Sequence, residues 1–281
     1  MAKIKVTCDS TCDLTPELYE KYDIEVIPLG VTVGDELHYD GVDVTPADLY
    51  KYADEHNVLP KTSAIPVYTY QEIFNKYVSR GYSVIHINIS AEMSACHQNA
   101  CIAAEAVGGV FPIDSRNLSS GSGHLAIEAA IMAQNGLEAT EIADKLNEMK
   151  ARLDVSFIIQ TLEYLKMGGR CSSVAAFGAN LLKLRPEIVV REGTMSVGRK
   201  YRGTMDKTIE DYIRGRLEGR TDLQLGRIFV THSEMSAESV NKAIALVKEL
   251  QPFEEVIETT AGCTVSSHCG PDCIGVLFFT N

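Results

Sequence analysis

The segment Val84–Gln98 constrains the fold more than any other stretch, because its composition changes from strand-like to helix-like across one short turn. Val84–Ile89 is rich in β-branched residues, which is typical of a buried strand, and Gln98–Ala106 is rich in alanine, which favours a helix. The turn between them contains Ser90 and Ser94. We predict that Ser94 lies at or near the N-cap of the helix.

The N-terminus of this predicted helix has two interpretations. The free N–H groups of a first helical turn and the positive end of the helix dipole together favour a carboxylate or a phosphate. In that case the Ser94 hydroxyl contacts a ligand. The alternative is that Ser94 only caps its own helix. The segment by itself leaves both interpretations open.

Predicted strands and helices alternate along the first half of the chain. This alternation favours a parallel sheet that is covered by helices on both faces. Ligands in that architecture bind beyond the carboxyl ends of the strands, where we expect the hydroxyls of the loop residues Thr62, Ser63, Ser90, Ser94, Ser115 and Ser119 to cluster. The other predicted strands are Ile4–Thr7, Ile24–Val33 and Gly109–Ile113, and the predicted helices are Pro16–Tyr22, Thr45–His56, Thr69–Ser79, His124–Gln134 and Thr140–Arg152.

The pattern changes in the second half, where pairs of strands appear. A hairpin is predicted from Glu187–Arg191 and Thr194–Arg199, joined through Glu192 and Gly193. The remaining predictions are the strands Val155–Gln160, Arg227–Thr231, Val256–Thr260 and Gly275–Thr280 and the helices Leu162–Arg170, Phe177–Leu184 and Ala237–Glu249. We therefore predict an α/β protein with an N-terminal parallel-sheet α/β/α domain at residues 1–153. A C-terminal α+β domain with a mixed sheet follows at residues 154–281.

Charge and hydropathy exclude several classes of protein. The net charge of −12 over 281 residues argues against binding to DNA or RNA, because phosphate neutralisation dominates such affinity. Basic residues are concentrated at 150–220, and the run Arg199–Arg202 is either a solvated surface or a contact for an acidic partner. No apolar run approaches the length of a membrane span, and Met1–Val6 enters a strand without a signal core. We expect a cytoplasmic protein without an integral membrane segment.

No cofactor motif is present in the sequence. The eight cysteines include no Cys-x-x-Cys pair, so we expect reduced, buried thiols and no metal, with Cys269 and Cys273 as the pair to assay. A phosphate-binding P-loop is absent, and Gly121 and Gly123 lack the third glycine of a dinucleotide fingerprint. These observations argue against ATP or NAD bound by the usual glycine-rich phosphate-binding loops.

A serine hydrolase is an alternative that the sequence supports weakly. Ser94 lies outside any Gly-x-Ser-x-Gly elbow, so it would depend on His97 or His268 as a distant base. No carboxylate stands out as the group that orients either imidazole. His268 lies in Ser266–Gly275, which we predict to be a loop before the last strand. The hydroxyls, helix N–H groups and one imidazole suit holding an anion better than cleaving a bond.

Eight motifs, in order from about residue 5 to residue 278, resemble those of the bacterial DegV family. They are Asp9–Leu14, Lys61–Ser63, Ile89–Ser94, Asp114–Ser115 with the following Ser-Gly turn, Tyr164–Arg170, Arg185–Pro186, Lys200–Gly203 and His268–Pro271. The resemblance implies two domains of the EDD fold that bury a fatty acid between them. It also implies a non-enzymatic subunit of a bacterial fatty acid kinase in phospholipid metabolism. Such a subunit presents the fatty acid carboxylate to a separate ATP-binding kinase subunit, which makes an acyl-phosphate.

The resemblance also assigns roles to residues of this chain. Thr62 and Ser94 would grip the carboxylate by their hydroxyls, with Ser63 beside them and the backbone N–H groups of Ala95 and Cys96 assisting. His268 would contact the same head group from the second domain. Arg170 would belong to the surrounding polar network, and Arg202 to the surface that meets the kinase. No cofactor is implied other than the fatty acid itself.

This chain departs from the family pattern at the same turn. The family usually has Gly-Thr-Tyr-Gln where this chain has Ala95–Gln98, and Gln-Pro-Ser-Pro where it has Ala64–Val67. The β-carbon of Ala95 narrows the approach of an anion to the backbone, and the thiol of Cys96 is a weak donor. We expect this chain to bind the ligand carboxylate more weakly, or to bind a ligand with a different head group. Besides the lipid carrier, a Ser94-dependent acyl hydrolase and a ligand-regulated interaction protein remain open.

Overall fold

The computed structural model describes residues 3–171 and 184–281 and shows an α/β protein with two principal sheets. Most of the predicted Phe177–Leu184 helix lies outside the described residues. The strands of the first half are β1 Lys3–Asp9, β2 Ile24–Ile27, β3 Gly30–Val33, β4 Glu36–Tyr39, β5 Lys61–Ser63, β6 Tyr82–Asn88 and β7 Val110–Asp114. Its helices are α1 Pro16–Lys21, α2 Pro46–His56, α3 Val67–Val78, α4 Cys96–Val107, α5 Ser119–Gln134 and α6 Ala139–Met149.

The N-terminal sheet has the order β2-β1-β6-β7, and its strands are all parallel. The two central strands, β1 and β6, are buried along most of their length because helices cover the sheet, as the alternating pattern predicted. The carboxyl ends of β1 and β6 therefore lie side by side, with Cys8 paired to Ile87. The loops that follow these two strands carry the Asp9–Leu14 and Ile89–Ser94 motifs.

A small antiparallel sheet of order β4-β3-β5 lies beside the N-terminal sheet. The predicted strand Ile24–Val33 is divided in two, because Pro28 has no N–H to continue a ladder. The prediction that Thr62 and Ser63 lie in a loop was wrong, since Lys61–Ser63 form β5. Thr62 pairs with Val31 of β3, and this long-range pairing determines the conformation of a segment too short to show a strand period.

The C-terminal sheet is mixed and has the order β10-β9-β8-β13-β11-β12, with only β11 and β12 paired in parallel within the described residues. Its elements are β8 Leu153–Ile158, α7 Glu163–Gly168, β9 Arg185–Arg191, β10 Thr194–Tyr201, α8 Met205–Leu217, β11 Leu223–His232, α9 Ala237–Leu250, β12 Glu255–Thr260, α10 Cys263–Cys269 and β13 Ile274–Thr280. The predicted hairpin is confirmed, since Arg191 pairs with Thr194 across Glu192 and Gly193, which both have positive φ. The domain division after residue 153 stays a prediction.

Ser94 lies near the N-cap of α4, as predicted, since the helix begins at Cys96 with Ala95 as its N-cap. The predicted starts of two helices and one predicted loop were wrong, and α4 begins two residues before the predicted Gln98. α5 begins at Ser119, five residues before the predicted start, because burial overrides the low helix propensity of Ser119–Gly123. The predicted Ser266–Gly275 loop instead begins inside α10, a short helix that ends before Gly270.

Helix α5 joins the two principal sheets into one core. Its residue Gly123 approaches the first motif so closely that a β-carbon would lie 2.8 Å from the Cys12 carbonyl oxygen. From the same helix, the fully buried His124 Nε2 contacts the carbonyl oxygen of Leu277 in β13 at 3.1 Å. One hydrophobic cluster accordingly contains residues of both sheets. No helix among the described residues is long and apolar enough to cross a membrane.

Candidate ligand cavity

A cavity of about 50 Å³ lies where the N-terminal sheet, the small sheet and α10 meet. Five of the predicted site residues, Thr62, Ser63, Ser94, Arg170 and His268, line it together. The other lining residues are mostly apolar: Leu29, Ala64, Ile89, Met93, Leu118, Met195, Thr264, Val265 and Cys269. The structure thus brings Thr62 and His268 together although they are 206 positions apart in sequence.

The remaining predicted residues lie elsewhere. Ala95 is exposed, Cys96 is completely buried, and neither lines this cavity. The N–H of Cys96 donates to Ser94 Oγ at 3.3 Å, so it is engaged within the turn. Arg202 is exposed directly after β10. The expected clustering of loop hydroxyls holds for Thr62, Ser63 and Ser94 but not for Ser90, Ser115 and Ser119, which bond within the loops or to neighbouring segments.

Thr62 and His268 form the contact that joins β5 to α10. His268 Nε2 lies 3.0 Å from Thr62 Oγ1, while its Nδ1 is buried without a hydrogen-bond partner among the described residues. Burial lowers the pKa of His268 to about 4, and the positive charge of Arg170 acts in the same direction. The imidazole is therefore neutral at pH 7 and carries one proton.

The hydrogen-bond pattern assigns that proton to Nε2, because a buried N–H without an acceptor is more costly than a bare ring nitrogen. Nε2–H then donates to Thr62 Oγ1, and the Thr62 hydroxyl proton is left to donate into the cavity. Gly168 makes this arrangement possible, since a β-carbon at that position would lie 2.2 Å from His268 Nδ1. His268 thus orients the hydroxyl of Thr62.

Two buried carboxylates of the first half hold the N-terminus of α10. Asp40 accepts from the N–H groups of Cys263 at 2.7 Å and of Thr264 at 3.1 Å. Asp13 accepts from the N–H of Gly262 at 2.9 Å and from the Ser119 hydroxyl at 2.5 Å. Burial raises the pKa of Asp13 to about 7, and the nearby Asp40 adds to this shift. The helix that carries Thr264 and His268 is therefore anchored to the N-terminal part of the chain.

Sequence reasoning missed these two carboxylates as site determinants. Asp13 belongs to the Asp9–Leu14 motif, which gave no indication of its partner, and Asp40 follows β4 without a motif. Their partners lie more than 200 positions away. A carboxylate that satisfies free N–H groups of a distant helix leaves no local signal in a sequence.

Ser94 is held by its own turn and has no histidine beside it among the described contacts. Its hydroxyl donates to Cys96 Sγ at 3.2 Å. His97 instead contacts Cys101 Sγ through Nε2 at 3.5 Å and Asn88 Oδ1 through Nδ1 at 3.3 Å. With His268 engaged by Thr62, both bases considered for a hydrolase are committed to other partners.

A second cavity of about 30 Å³ adjoins the first and shares Leu118, Val265 and Cys269 with it. Its other apolar lining residues are Val155, Phe157, Ala261, Cys273 and Leu277. Its polar lining residues are Ser119, Thr231, His232 and Ser233, and Gly275 also lines it. The shared lining consists of two aliphatic side chains and a thiol. Apolar groups thus lie between the polar groups of the first cavity and the second cavity.

The fold and the site together define a class of protein. It is an α/β protein whose cavity has hydroxyls, an imidazole and a guanidinium around one part and apolar side chains around the rest.

A family model described as "Uncharacterised protein, DegV family" matches residues 3–281. A DegV domain-containing protein of Clostridium acetobutylicum is 33% identical over 283 residues, covering 99% of this chain and 99% of the relative. The chain belongs to the DegV family.

Solved structures show the same fold. A DegV family protein from Thermus thermophilus, whose structure is described under fatty acid binding, matches with a TM-score of 0.88 and 26% identity over 100% of both chains. A DegV lipid binding protein from Thermotoga maritima matches with a TM-score of 0.87 and 27% identity over 99% of this chain and 98% of that one. These similarities confirm the predicted α/β architecture.

Proposed function

We propose that this protein binds a long-chain fatty acid, or a similar apolar carboxylate, in the cavity between its two principal sheets. The observation that carries the proposal is the Thr62 hydroxyl, which His268 leaves free to donate into a cavity that Ser94 and Arg170 also line. Hydroxyl donors and a guanidinium suit a carboxylate. The similar proteins from Thermus thermophilus and Thermotoga maritima, which bind fatty acid or lipid by their descriptions, support the same ligand class.

The acyl chain would pass between the shared apolar side chains into the second cavity. The cavities of about 50 and 30 Å³ are far smaller than the several hundred Å³ of a typical ligand site, so the wall at Leu118, Val265 and Cys269 must open. Met93 and Met195 line the first cavity, and their unbranched side chains adapt readily to a new occupant. Burial of a sixteen-carbon chain contributes on the order of 10 kcal/mol before ordering costs.

The bound carboxylate would be presented to a separate ATP-binding kinase subunit. In that step a carboxylate oxygen attacks the γ-phosphorus of ATP, an acyl-phosphate forms and ADP leaves. The protein itself would supply positioning, and the exposed Arg202 after β10 would meet the kinase. A cytoplasmic location and a place in phospholipid metabolism belong to this proposal.

Lipid extraction of the purified protein, followed by mass spectrometry, tests the ligand class. We expect a free fatty acid at close to one per chain, with Thr62→Val retaining much less. The control is Ser79→Ala, which removes an exposed hydroxyl at the end of α3 and should retain the wild-type amount. Extracts without fatty acid, together with no saturable binding of added palmitate, would overturn the proposal.

A further inference from the structure

Thr264 of α10 has a buried hydroxyl without a hydrogen-bond partner among the described residues. The residue is 5% exposed. It lies four positions before His268 in the same helix, so the two side chains share a face of α10. Both residues line the candidate ligand cavity. The cavity therefore has a further hydroxyl that none of the described residues satisfies.

A second buried threonine shows what distinguishes Thr264. Thr208 of α8 is 0% exposed, and its hydroxyl also has no partner among the described residues. Thr208 lines neither of the two adjoining cavities, whereas Thr264 lines the one with the polar groups. A buried hydroxyl without a partner has lost its hydrogen bonds to water, and a group that supplies a new partner recovers that loss. Only Thr264 is placed where a ligand in this cavity can do so.

The surroundings of Thr264 favour an uncharged partner. Asp40 accepts from the Thr264 N–H at 3.1 Å and from the Cys263 N–H at 2.7 Å, so a buried carboxylate adjoins the backbone of this residue. A ligand carboxylate beside Thr264 would be opposed by repulsion between like charges. The ligand carboxylate is better placed at Thr62 and Arg170. Thr264 is then left for a neutral polar group, which its hydroxyl can serve as donor or acceptor.

The spacing along α10 indicates where on the ligand this polar group lies. His268 Nε2 is 3.0 Å from Thr62 Oγ1, so the imidazole marks the position of the carboxylate. Thr264 precedes His268 by four residues, a rise of ~6 Å along a helix. The second and third carbons of an acyl chain follow the carboxylate directly, and a substituent on either carbon lies within this range.

We propose that Thr264 is a specificity-determining residue, which selects fatty acids that carry a hydroxyl on the second or third carbon. The inference rests on the proposed function, in which the carboxylate of a fatty acid occupies this cavity. A site that hydrogen-bonds a ligand hydroxyl discriminates against the analogue without it, because the buried group of the protein is then left unpaired. Palmitate therefore binds, but less tightly than its hydroxylated counterpart.

Calorimetric titration with palmitate, 2-hydroxypalmitate and 3-hydroxypalmitate tests this role. We expect the wild type to bind at least one of the hydroxy acids at least about fivefold more tightly than palmitate, the value of one ordinary hydrogen bond. Thr264→Val, which keeps the shape of the side chain, should remove this preference and leave palmitate affinity within about twofold. Thr264→Ser, which restores a hydroxyl, should recover most of the preference.

The matched control is Thr208→Val, which removes an equally buried and unpartnered hydroxyl away from both cavities and should retain the wild-type preference. A wild type that binds palmitate as tightly as both hydroxy acids would overturn the inference, whether or not any variant folds. A preference that survives in Thr264→Val, or an equal loss for all three compounds, would also overturn it and leave fatty acid binding intact. A wild type that binds none of the three would overturn the proposed function, and this inference with it.

Discussion

The two hydroxyls at the cavity are held in different ways. Thr62 contacts His268, which belongs to a helix near the C-terminus, whereas the Ser94 hydroxyl donates to Cys96 within its own turn. The Thr62 side therefore depends on the docking of α10, and the Ser94 side depends on local packing. The Thr62 half of the site is therefore assembled only when α10 packs against the N-terminal part of the chain.

The largest expected effect follows from moving His268 away from Thr62. We expect Gly168→Ala to lower palmitate affinity at least about tenfold and to destabilise the fold by about 1–3 kcal/mol, because the added β-carbon overlaps the imidazole. Titration and chemical unfolding measure the two effects. Gly226→Ala is the matched control, since nothing lies within 4 Å of a β-carbon there. An unchanged palmitate affinity in Gly168→Ala would show that His268 does not orient Thr62 for the ligand.

The anchoring of α10 gives a prediction about pH. The pKa of Asp13 is raised in the folded state to about 7, above the ordinary value of 3.8, so its contribution to stability is fully present below about pH 4 and is lost as the pH rises through 7. His268, with a pKa lowered to about 4, has the opposite effect and costs stability as the pH falls from about 6.5 to 4. The two effects partly cancel in the wild type.

We therefore expect Asp13→Asn to lose stability more steeply than the wild type as the pH falls from 7 to 5. In the wild type, protonation of Asp13 offsets part of the stability that His268 costs in this range, and the variant lacks this contribution. Urea unfolding at several pH values measures the slope. Asp144→Asn, at an exposed position of α6, serves as the control and should follow the wild-type curve. Parallel curves for Asp13→Asn and the wild type would contradict the raised pKa of Asp13.

The smallest effect compares the two hydroxyls directly. We expect Thr62→Val to weaken palmitate about fivefold to tenfold and Ser94→Ala by only about twofold to fivefold, since Thr62 has its proton free whereas Ser94 must first leave Cys96. Both variants should keep their hexadecanol affinity within about twofold. A larger loss from Ser94→Ala than from Thr62→Val would reverse the assigned order.

The sequence predicted the strand, turn and helix around Ser94, because the β-branched and alanine-rich compositions differ clearly on the two sides of the turn. The parallel-sheet topology also predicted that the hydroxyls of Thr62, Ser63 and Ser94 would cluster, whereas Arg170 and His268 were assigned to the same site only through the resemblance to the DegV family. Ser63 lines the cavity without a described side-chain bond to the other members. The role of Arg202 stays a prediction.

The conformation of α10 could not be predicted, because serine, glycine and cysteine give no helical period and the helix is held by Asp13 and Asp40 from distant parts of the chain. Helix α8 was missed although a signal existed. Thr204 accepts from the N–H of Lys207, and the buried Ile209, Tyr212 and Ile213 have helical spacing. The long-range hydrogen bonds that hold α10 could not be predicted from the sequence, whereas the amphipathic pattern of α8 could have been recognised.

The central claim, that the carboxylate of a fatty acid binds between Thr62 and Ser94, is tested most directly by calorimetric titration of palmitate into the wild type and the Thr62→Val/Ser94→Ala variant. We predict saturable binding of one palmitate per wild-type chain and an affinity at least about tenfold lower in the double variant, with loss of two hydrogen bonds to a charged group. Equal affinities in the two proteins would contradict the claim, because the carboxylate would then be bound elsewhere.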